Sequence, residues 1–236
     1  MIAQIKEEIA GLNAAEIIAL IQQKYGSKAV FSTSFGIEDQ VITHLIAKAT
    51  TADSNDNISL FTLETGRLFP ETYYVWNRTL ETYKLPIKAY YPATQAVEDL
   101  VTKKGPSSFY ESVENRKECC YIRKIEPLHR AIQGFDIWIT GIRKEQSANR
   151  EDMENVEWDA ANKIIKIHPL FDWTLEEVES FLRKNGIPYN PLHDKGFPSI
   201  GCQPCTRAIA AGEDFRAGRW WWEDQSKKEC GLHVTQ

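Results

Sequence analysis

Residues 29–39 have the sequence Ala-Val-Phe-Ser-Thr-Ser-Phe-Gly-Ile-Glu-Asp. The apolar run from Ala29 to Phe31 is typical of a short buried strand, and the pattern from Ile37 to Ala49 predicts a helix with acidic residues in its first turn. This stretch therefore predicts a strand, a loop rich in hydroxyl groups and a helix in direct succession. Backbone N–H groups at the start of such a helix can bind phosphate or sulfate oxygens.

The loop between this strand and this helix is the first candidate ligand site. It follows the carboxyl end of a strand, where open parallel sheets bind their ligands, and its hydroxyl groups add neutral donors. The loop lacks the lysine of a Walker A loop and the three glycines of a dinucleotide-binding motif, so an ordinary N-cap is the alternative interpretation. The candidate residues are Ser32, Thr33, Ser34, Phe35 and Gly36.

The alternation of strands and helices continues along the chain. Further strands are predicted over residues 58–63, 87–91 and 136–141, with an edge strand from Lys163 to His168. Helices are predicted before Gly26, over 70–83, over 95–103, over about 119–132, and from a capping box at Thr174 to Gly186. This order predicts an α/β fold in which helices flank a parallel twisted sheet.

Two more loops follow predicted strands and supply further candidate contacts to a ligand. An arginine at this edge of a sheet can pair with an anionic group, and a glycine lets the backbone approach a ligand closely. For each loop alone, a surface turn with a solvated arginine is the alternative interpretation. The candidates are Glu64, Thr65, Gly66 and Arg67 in one loop, Gly141 and Arg143 in the other, and Arg150 shortly beyond.

Four of the five cysteines form two close pairs, Cys119-Cys120 and Cys202-x-x-Cys205. Thiolates select zinc or iron–sulfur clusters over hard cations, so folding that gathers both pairs would create one metal site. Structural zinc sites favour ligands about two to four residues apart, whereas a cluster of several irons accepts adjacent ligands on different iron atoms. We favour a four-iron cluster, and the alternatives are zinc and four buried free thiols.

Basic residues surround these cysteines in the sequence. A site of four thiolates with either metal carries net negative charge, so nearby cations offset it, and any excess positive potential can hold an anionic substrate. Solvated helix charges are the alternative interpretation for any one of them. The basic residues are Arg116, Lys117, Arg123, Lys124 and Arg207.

The fifth cysteine, Cys230, follows Lys227 and Lys228 and precedes His233. Cationic neighbours generally raise the thiolate fraction of a cysteine at neutral pH, which favours a role as a nucleophile. A tail cysteine without a role is the alternative interpretation.

The composition limits the class of protein. The chain has 236 residues, 42% of them hydrophobic, and a net charge of −5. This length suits one α/β domain, predicted over residues 1–211, followed by a mobile catalytic tail over residues 212–236. The acidic charge argues against nucleic-acid binding, and no run approaches the roughly eighteen apolar residues of a membrane span. We expect a soluble, cytoplasmic protein with reduced thiols.

Several segments together resemble the assimilatory adenylyl-sulfate reductases, which are relatives of the phosphoadenylyl-sulfate reductases. The resemblance covers nearly the whole chain after the N-terminal helices, and the two cysteine pairs with the Glu-Cys-Gly-Leu-His ending are specific in combination. One departure is Glu64, which stands where the family pattern has an aspartate. The segments are residues 32–39, 64–70, 119–120, 199–207, 218–223 and 228–233.

The resemblance implies a fold of the adenine nucleotide alpha hydrolase, or PP-loop, type. It also implies Cys230 as the nucleophile and a [4Fe-4S] cluster held by Cys119, Cys120, Cys202 and Cys205. Attack on adenylyl sulfate would release AMP and leave an S-sulfocysteine. Thioredoxin, or a glutaredoxin-like reductant, would then release sulfite for sulfate assimilation and cysteine biosynthesis.

The resemblance assigns further residues to the reaction. Family positions expected near the sulfate match Lys124, Arg216 and Arg219, and His233 would help orient the tail. Three alternatives stay open: a phosphoadenylyl-sulfate reductase with the same mechanism, an ATP-using adenylating enzyme, and a non-catalytic four-cysteine redox module. Family members with both cysteine pairs mostly favour adenylyl sulfate, which decides the expected substrate. A homo-oligomer is also left open.

Overall fold

The computed structural model describes residues 2–51, 54–146 and 153–223. These residues form two compact units. The sheet unit comprises the described residues of the ranges 1–62, 74–88 and 132–190. The cysteine unit comprises those of the ranges 63–73, 89–131 and 191–236. The predicted boundary between a domain ending at residue 211 and a catalytic tail stays a prediction.

A six-stranded sheet has the strand order β3-β2-β1-β4-β6-β5. β1 pairs in parallel with β2 and with β4, and β4 pairs in parallel with β6. β5 runs antiparallel to β6 at the edge. The predicted α/β fold is therefore confirmed, with one antiparallel edge strand added. The strands are β1 Ala29–Ser32, β2 Ser59–Leu63, β3 Ile87–Tyr90, β4 Ile137–Ile139, β5 Val156–Asp159 and β6 Ile164–Ile167.

The prediction of an edge strand from Lys163 to His168 was wrong about its place in the sheet. β6, Ile164–Ile167, lies inside the sheet between β4 and β5, and all four of its residues are buried. A continuous apolar run is typical of a strand covered on both faces, and Lys166 interrupts that signal in the sequence. The strand at this edge of the sheet, Val156–Asp159, was not predicted.

Helices cover the sheet and supply most of its hydrophobic core. The predicted helices Ile37–Ala49 and Pro70–Tyr83 are confirmed with the same bounds, and the N-terminal pattern forms two helices that end before Gly26. Buried apolar residues of the first three helices and of the helix Leu175–Lys184 form one cluster with the strands. The helices are α1 Ile2–Ile9, α2 Ala14–Tyr25, α3 Ile37–Ala49, α4 Pro70–Tyr83, α5 Thr94–Lys104, α6 Val113–Cys120, α7 Glu126–Ile132 and α8 Leu175–Lys184.

The cysteine unit contains a helical stretch that differs from the predicted helix over 119–132. α6 begins earlier, at Val113, and a π-helical turn over Tyr121–Ile125 separates it from α7. π-helical turns inside α-helices occur frequently at functional sites. The stretch up to Glu223 belongs to this unit, and Trp220 within it is 1% exposed.

No helix in the described ranges has both the length and the apolar character needed to cross a lipid bilayer.

The capping box of α8 is confirmed and can be tested by its stability. Thr174 accepts a hydrogen bond from the Glu177 backbone N–H at 3.2 Å, and the Glu177 carboxylate accepts from the Thr174 N–H at 2.7 Å. Thr174→Ala should lower the free energy of unfolding by about 1 kcal/mol, because the Glu177 N–H loses its acceptor while the backbone N–H of residue 174 keeps its own. Chemical denaturation measures the change.

The matched control is Thr102→Ala, which removes an exposed threonine from the interior of α5. This change should leave stability unchanged or raise it slightly, because alanine is the better helix former. Equal losses in both variants would contradict the capping role of Thr174.

Candidate functional site

The loop after β1 is organised by a buried carboxylate. Asp39, in the first turn of α3, accepts hydrogen bonds from the Ser34 backbone N–H at 2.6 Å and from the Ser34 hydroxyl at 2.7 Å. Both donors of Ser34 are therefore engaged within the loop. A ligand would have to compete with Asp39 for the donors of Ser34. The assignment of Ser34 to ligand binding therefore stays a prediction.

Burial raises the pKa of Asp39 to about 6, even though the hydrogen bonds from Ser34 act in the opposite direction. The backbone of Gly141, from the loop after β4, lies directly against this carboxyl group. A Cβ atom at Gly141 would overlap the Asp39 carboxylate, so no larger residue fits without movement. Two of the predicted loops, those of Ser34 and Gly141, are thus brought together in the sheet unit.

The other residues of the first loop hold its backbone in an unusual conformation. Phe35 has a φ of 62°, which is rare for a residue other than glycine, asparagine or aspartate. Its buried ring stacks on Trp76 with 5.3 Å between the ring centroids, and this packing offsets the backbone strain. Thr33 accepts a hydrogen bond from the Phe35 N–H at 3.1 Å. Gly36 is the N-cap of α3.

Arg143, predicted as an anion contact, is buried in an ion pair. Its Nε atom donates to Glu38 at 2.9 Å, and the same carboxylate oxygen accepts from Gln146 at 2.9 Å. An anionic ligand would therefore compete with Glu38 for this guanidinium. The assignment of Arg143 to substrate binding stays a prediction.

All four paired cysteines line one cavity of the cysteine unit. The cavity holds about 310 Å³ of space, part of it open to solvent. None of the four thiols is in a disulfide. The lining residues are Arg67, Phe109, Arg116, Cys119, Cys120, Arg123, Lys124, Cys202 and Cys205. The two pairs therefore line the same cavity, and their assignment as the ligands of one metal site stays a prediction.

One face of a helical stretch supplies five of the nine lining residues. Arg116, Cys119, Cys120, Arg123 and Lys124 recur at intervals of three and four residues along α6 and the π-helical turn. Residues at these intervals lie on one side of a helix, which places thiols and cations on the same wall of the cavity.

The loop after β2 is built into the same cavity. Thr65 Oγ1 lies 3.3 Å from Cys202 Sγ, and the Thr65 carbonyl accepts a hydrogen bond from Arg123 at 2.6 Å. Arg67 lines the cavity, and its guanidinium lies 5.0 Å from the Phe109 ring centroid. The loop predicted as a nucleotide contact therefore supports the cysteines directly.

The turn of this loop depends on Glu64 and Gly66. The Glu64 carboxylate is buried and accepts a hydrogen bond from the Gly66 N–H at 2.5 Å. Gly66 has a φ of 71°, a left-handed conformation that a glycine adopts without strain. The glutamate at this position therefore closes a turn.

The cysteines lie in a poorly hydrated environment. Burial raises the pKa of Cys119, and burial together with the nearby Cys202 raises the pKa of Cys205 to about 12. Several thiolates here need compensating positive charge, which a metal centre or the lining cations can supply. Among the residues that the structure describes, no three or more His, Cys, Asp or Glu side chains are grouped as ligands of a metal ion. Reduced, desolvated sulfur donors on one cavity nevertheless suit the donor set of an iron–sulfur cluster.

Two arginines predicted near the sulfate lie in the same unit. Arg219 is 8% exposed and donates to the Ser199 hydroxyl at 3.3 Å, and in the described part of the chain its buried Nε atom has no acceptor. The Arg216 backbone N–H donates to Asp214 at 2.8 Å. Arg219 therefore keeps one donor for a further acceptor.

A buried ion pair fixes the end of the described chain. Arg116 donates to both carboxylate oxygens of Glu223, at 2.9 and 2.8 Å, and its guanidinium stacks 4.6 Å from the Trp220 ring centroid. Both charged side chains are almost fully buried. Glu223 was not predicted as part of the site.

Other contributions were also missed from the sequence. Glu38 and Asp39 were predicted only as acidic residues at the start of a helix. Their contacts with Arg143 and Ser34 were not predicted. Nothing in the sequence pattern indicated Phe109. Of the predicted residues, Arg150, Cys230 and His233 lie outside the described part of the chain.

The raised pKa of Asp39 predicts a pH dependence of stability. The folded chain binds the Asp39 proton more tightly than the unfolded chain, so this contribution is complete below about pH 4 and is lost as pH rises through 6. The total is about 3 kcal/mol for a shift of roughly two pKa units. Asp39→Asn, which does not titrate, should lack this decline.

Urea denaturation of both proteins between pH 4 and 7 measures the effect. The free energy of unfolding of Asp39→Asn should rise relative to that of the wild type across this range. Parallel pH profiles would contradict the assignment.

Comparison with known proteins places the chain in a family. A family model described as the phosphoadenosine phosphosulfate reductase domain matches residues 28–208. An adenosine 5'-phosphosulfate reductase from Rhizobium meliloti (strain 1021) is 49% identical over 230 residues, which cover 98% of this chain and 84% of the relative.

Solved structures show the same fold. The phosphoadenylyl-sulfate reductase from Candida auris, in a phosphate complex, superimposes with a TM-score of 0.72 at 26% identity, covering 88% of this chain and 96% of that one. FMN adenylyltransferase from Candida glabrata, solved with FAD and inorganic pyrophosphate, has a TM-score of 0.55 at 17% identity over 96% of this chain and 77% of its own. The second likeness concerns the fold alone. The match to the family model and the close relative together show that this chain belongs to the phosphoadenosine phosphosulfate reductase domain family.

Proposed function

We propose that this protein reduces adenylyl sulfate to sulfite and AMP. The observation that carries the proposal is the cavity on which four reduced cysteines and four basic side chains meet. Such a cavity suits a polyanionic substrate and a sulfur-ligated centre in one unit. A relative that is 49% identical over almost the whole chain, and that is named an adenosine 5'-phosphosulfate reductase, supports the choice of substrate.

The choice between the two nucleotide substrates follows from the degree of similarity. The Candida auris phosphoadenylyl-sulfate reductase is only 26% identical to this chain, whereas the relatives named adenosine 5'-phosphosulfate reductase are 46–50% identical. We therefore assign adenylyl sulfate, without the 3′-phosphate, as the substrate.

The first chemical step is nucleophilic substitution at sulfur. The Cys230 thiolate attacks the sulfate sulfur, an S–S bond forms, and the bond between sulfur and the bridging oxygen breaks. The electron pair of the broken bond leaves with AMP. Cys230 then carries an S-sulfonate group.

A dithiol protein of the thioredoxin class completes the reaction. Its thiolate attacks the Cys230 sulfur and expels sulfite, and its second thiol resolves the mixed disulfide. Two electrons pass from the dithiol to the sulfonate sulfur, and Cys230 returns to the thiol form.

Basic residues make the first step possible. The sulfur of a sulfate group is electrophilic, but its anionic oxygens repel a thiolate, so cations must neutralise them. We assign this task to Lys124, which lines the cysteine cavity, and to Arg219, whose buried Nε atom has no acceptor among the described residues. Arg216 and His233 are assigned to the same reaction from the family resemblance.

We further propose that Cys119, Cys120, Cys202 and Cys205 hold a [4Fe-4S] cluster. The four sulfurs line one cavity, and its basic side chains offset the negative charge that such a centre carries. When bound, the cluster would supply structural order and an electrostatic field, since the dithiol already provides both electrons. Arg123 and Lys124 would then keep that field favourable for an anionic substrate, since Glu223 neutralises Arg116.

Incubation with adenylyl sulfate tests the nucleophile. Without reductant, mass analysis of the C-terminal peptide should show one added SO₃ group on Cys230, because the adduct has no dithiol to release it. With thioredoxin, sulfite should form from adenylyl sulfate in large preference to its 3′-phosphorylated form.

Cys230→Ser is the decisive variant for this reaction. It should lose sulfite formation and the adduct completely while it keeps the iron and sulfide content of the wild type. Sulfite formation at the wild-type rate by this variant would contradict the mechanism.

Metal analysis tests the cluster. Protein purified without oxygen should contain about four irons and four acid-labile sulfides per chain and absorb visible light. Cys202→Ser should lose most of both, because one of four ligands is gone, whereas the matched Cys230→Ser should keep them. A colourless, sulfide-free and fully active wild-type preparation would refute the cluster.

A further inference from the structure

The hydroxyl of Ser32 accepts a hydrogen bond from a buried tryptophan. Ser32 is the last residue of β1, and Trp138 lies on the neighbouring strand β4, where Val30 and Trp138 are register partners. The indole Nε1 atom of Trp138 donates to Ser32 Oγ at 2.9 Å. An indole nitrogen is only a donor, so Ser32 is necessarily the acceptor in this bond.

This hydrogen bond determines whether the Ser32 hydroxyl can donate a hydrogen bond to a ligand. A hydroxyl has one proton, and because its oxygen already accepts from Trp138, that proton points elsewhere. The described part of the chain offers no acceptor for it, and the side chain is half-buried at the carboxyl edge of the sheet. Ser34 differs, because its own proton is directed to Asp39.

The position of the tryptophan ring is itself held firmly. Trp138 is 1% exposed, and the Lys166 ammonium lies 5.0 Å from its ring centroid. Lys166 is the register partner of Trp138 on β6 and forms a buried ion pair with Asp159 at 2.6 Å. The attraction between this cation and the face of the ring helps to hold the indole in place.

The charges around the loop indicate which part of a nucleotide the Ser32 proton meets. Glu38 and Asp39 lie in the first turn of α3, where Arg143 neutralises Glu38 but Asp39 accepts its hydrogen bonds from neutral groups only. An anion placed beside the ionised Asp39 carboxylate would be repelled. An uncharged acceptor, such as a ribose oxygen or a ring nitrogen of adenine, is not.

We infer that Trp138 is a positioning residue that turns the Ser32 hydroxyl into a donor to the adenosine part of the substrate. The inference rests on the proposed function for its ligand, an adenylyl nucleotide. Trp138 acts through Ser32 and does not touch the nucleotide.

A double-mutant cycle with AMP as the probe tests this relation. Isothermal titration calorimetry gives the dissociation constant of AMP for the wild type, Ser32→Ala, Trp138→Phe and the double variant. Each single change should weaken AMP binding by about three- to tenfold, the usual effect of one lost hydrogen bond. The double variant should bind no more weakly than either single variant, because both changes remove the same donor.

Turnover of adenylyl sulfate provides a second reading. KM should rise in both single variants while kcat changes little, since Ser32 contacts the part of the substrate that does not react. The matched control is Trp158→Phe, which changes an exposed tryptophan of β5 and should alter neither constant. If Trp138→Phe fails to fold, benzothienylalanine at position 138 keeps the shape of the ring and lacks only the N–H.

The outcomes separate the two proposals. The inference would be overturned if the loss of AMP affinity in the double variant equalled the product of the two single losses. An unchanged AMP affinity in a folded Trp138 variant would overturn it as well. Either result would leave the proposed function intact. A wild-type protein that binds no AMP and forms no sulfite would overturn both.

Discussion

Charge balance around four cysteine sulfurs, three of them in buried residues, is the constraint on which the cysteine unit depends. Thiolates removed from water are costly unless positive charge lies close to them. The chain meets this need with Arg67, Arg116, Arg123 and Lys124 on the same cavity. Arg116 in turn is neutralised by Glu223, so the cations are not equivalent. Arg67 and Arg123 instead donate to carbonyl oxygens, those of Pro106 and Thr65, which leaves their positive charge in place.

Much of the fold follows from local patterns that are consistent with the tertiary structure. The helix limits at Ile37, Ala49, Pro70 and Tyr83 were predictable because acidic first turns, a proline and the apolar period agree there. The position of β6 inside the sheet was not predictable. A lysine among its isoleucines is typical of an exposed face, whereas here Lys166 is buried in an ion pair with Asp159. Such pairing is visible only once both strands are in place.

The types of residue in the site were easier to predict from the sequence than the contacts that these residues make. The cysteine pairs and the basic residues near them could be found from spacing, and the cavity contains most of them. No sequence pattern indicates that Glu38 forms an ion pair with Arg143. Nor does any pattern indicate that Asp39 accepts hydrogen bonds from both donors of Ser34. These contacts join residues whose chemistry suits a ligand equally well, so only geometry shows which groups are already engaged.

The π-helical turn after Cys120 makes the length of this helical stretch part of its chemistry. In an ordinary α-helix each residue advances the direction of the side chain by about 100°. Loss of a single amino acid between Tyr121 and Ile125 would therefore leave the thiols in place and swing the rest of the helix by more than a quarter of a revolution. The number of residues in this turn therefore helps to set where Arg123 and Lys124 lie relative to the thiols.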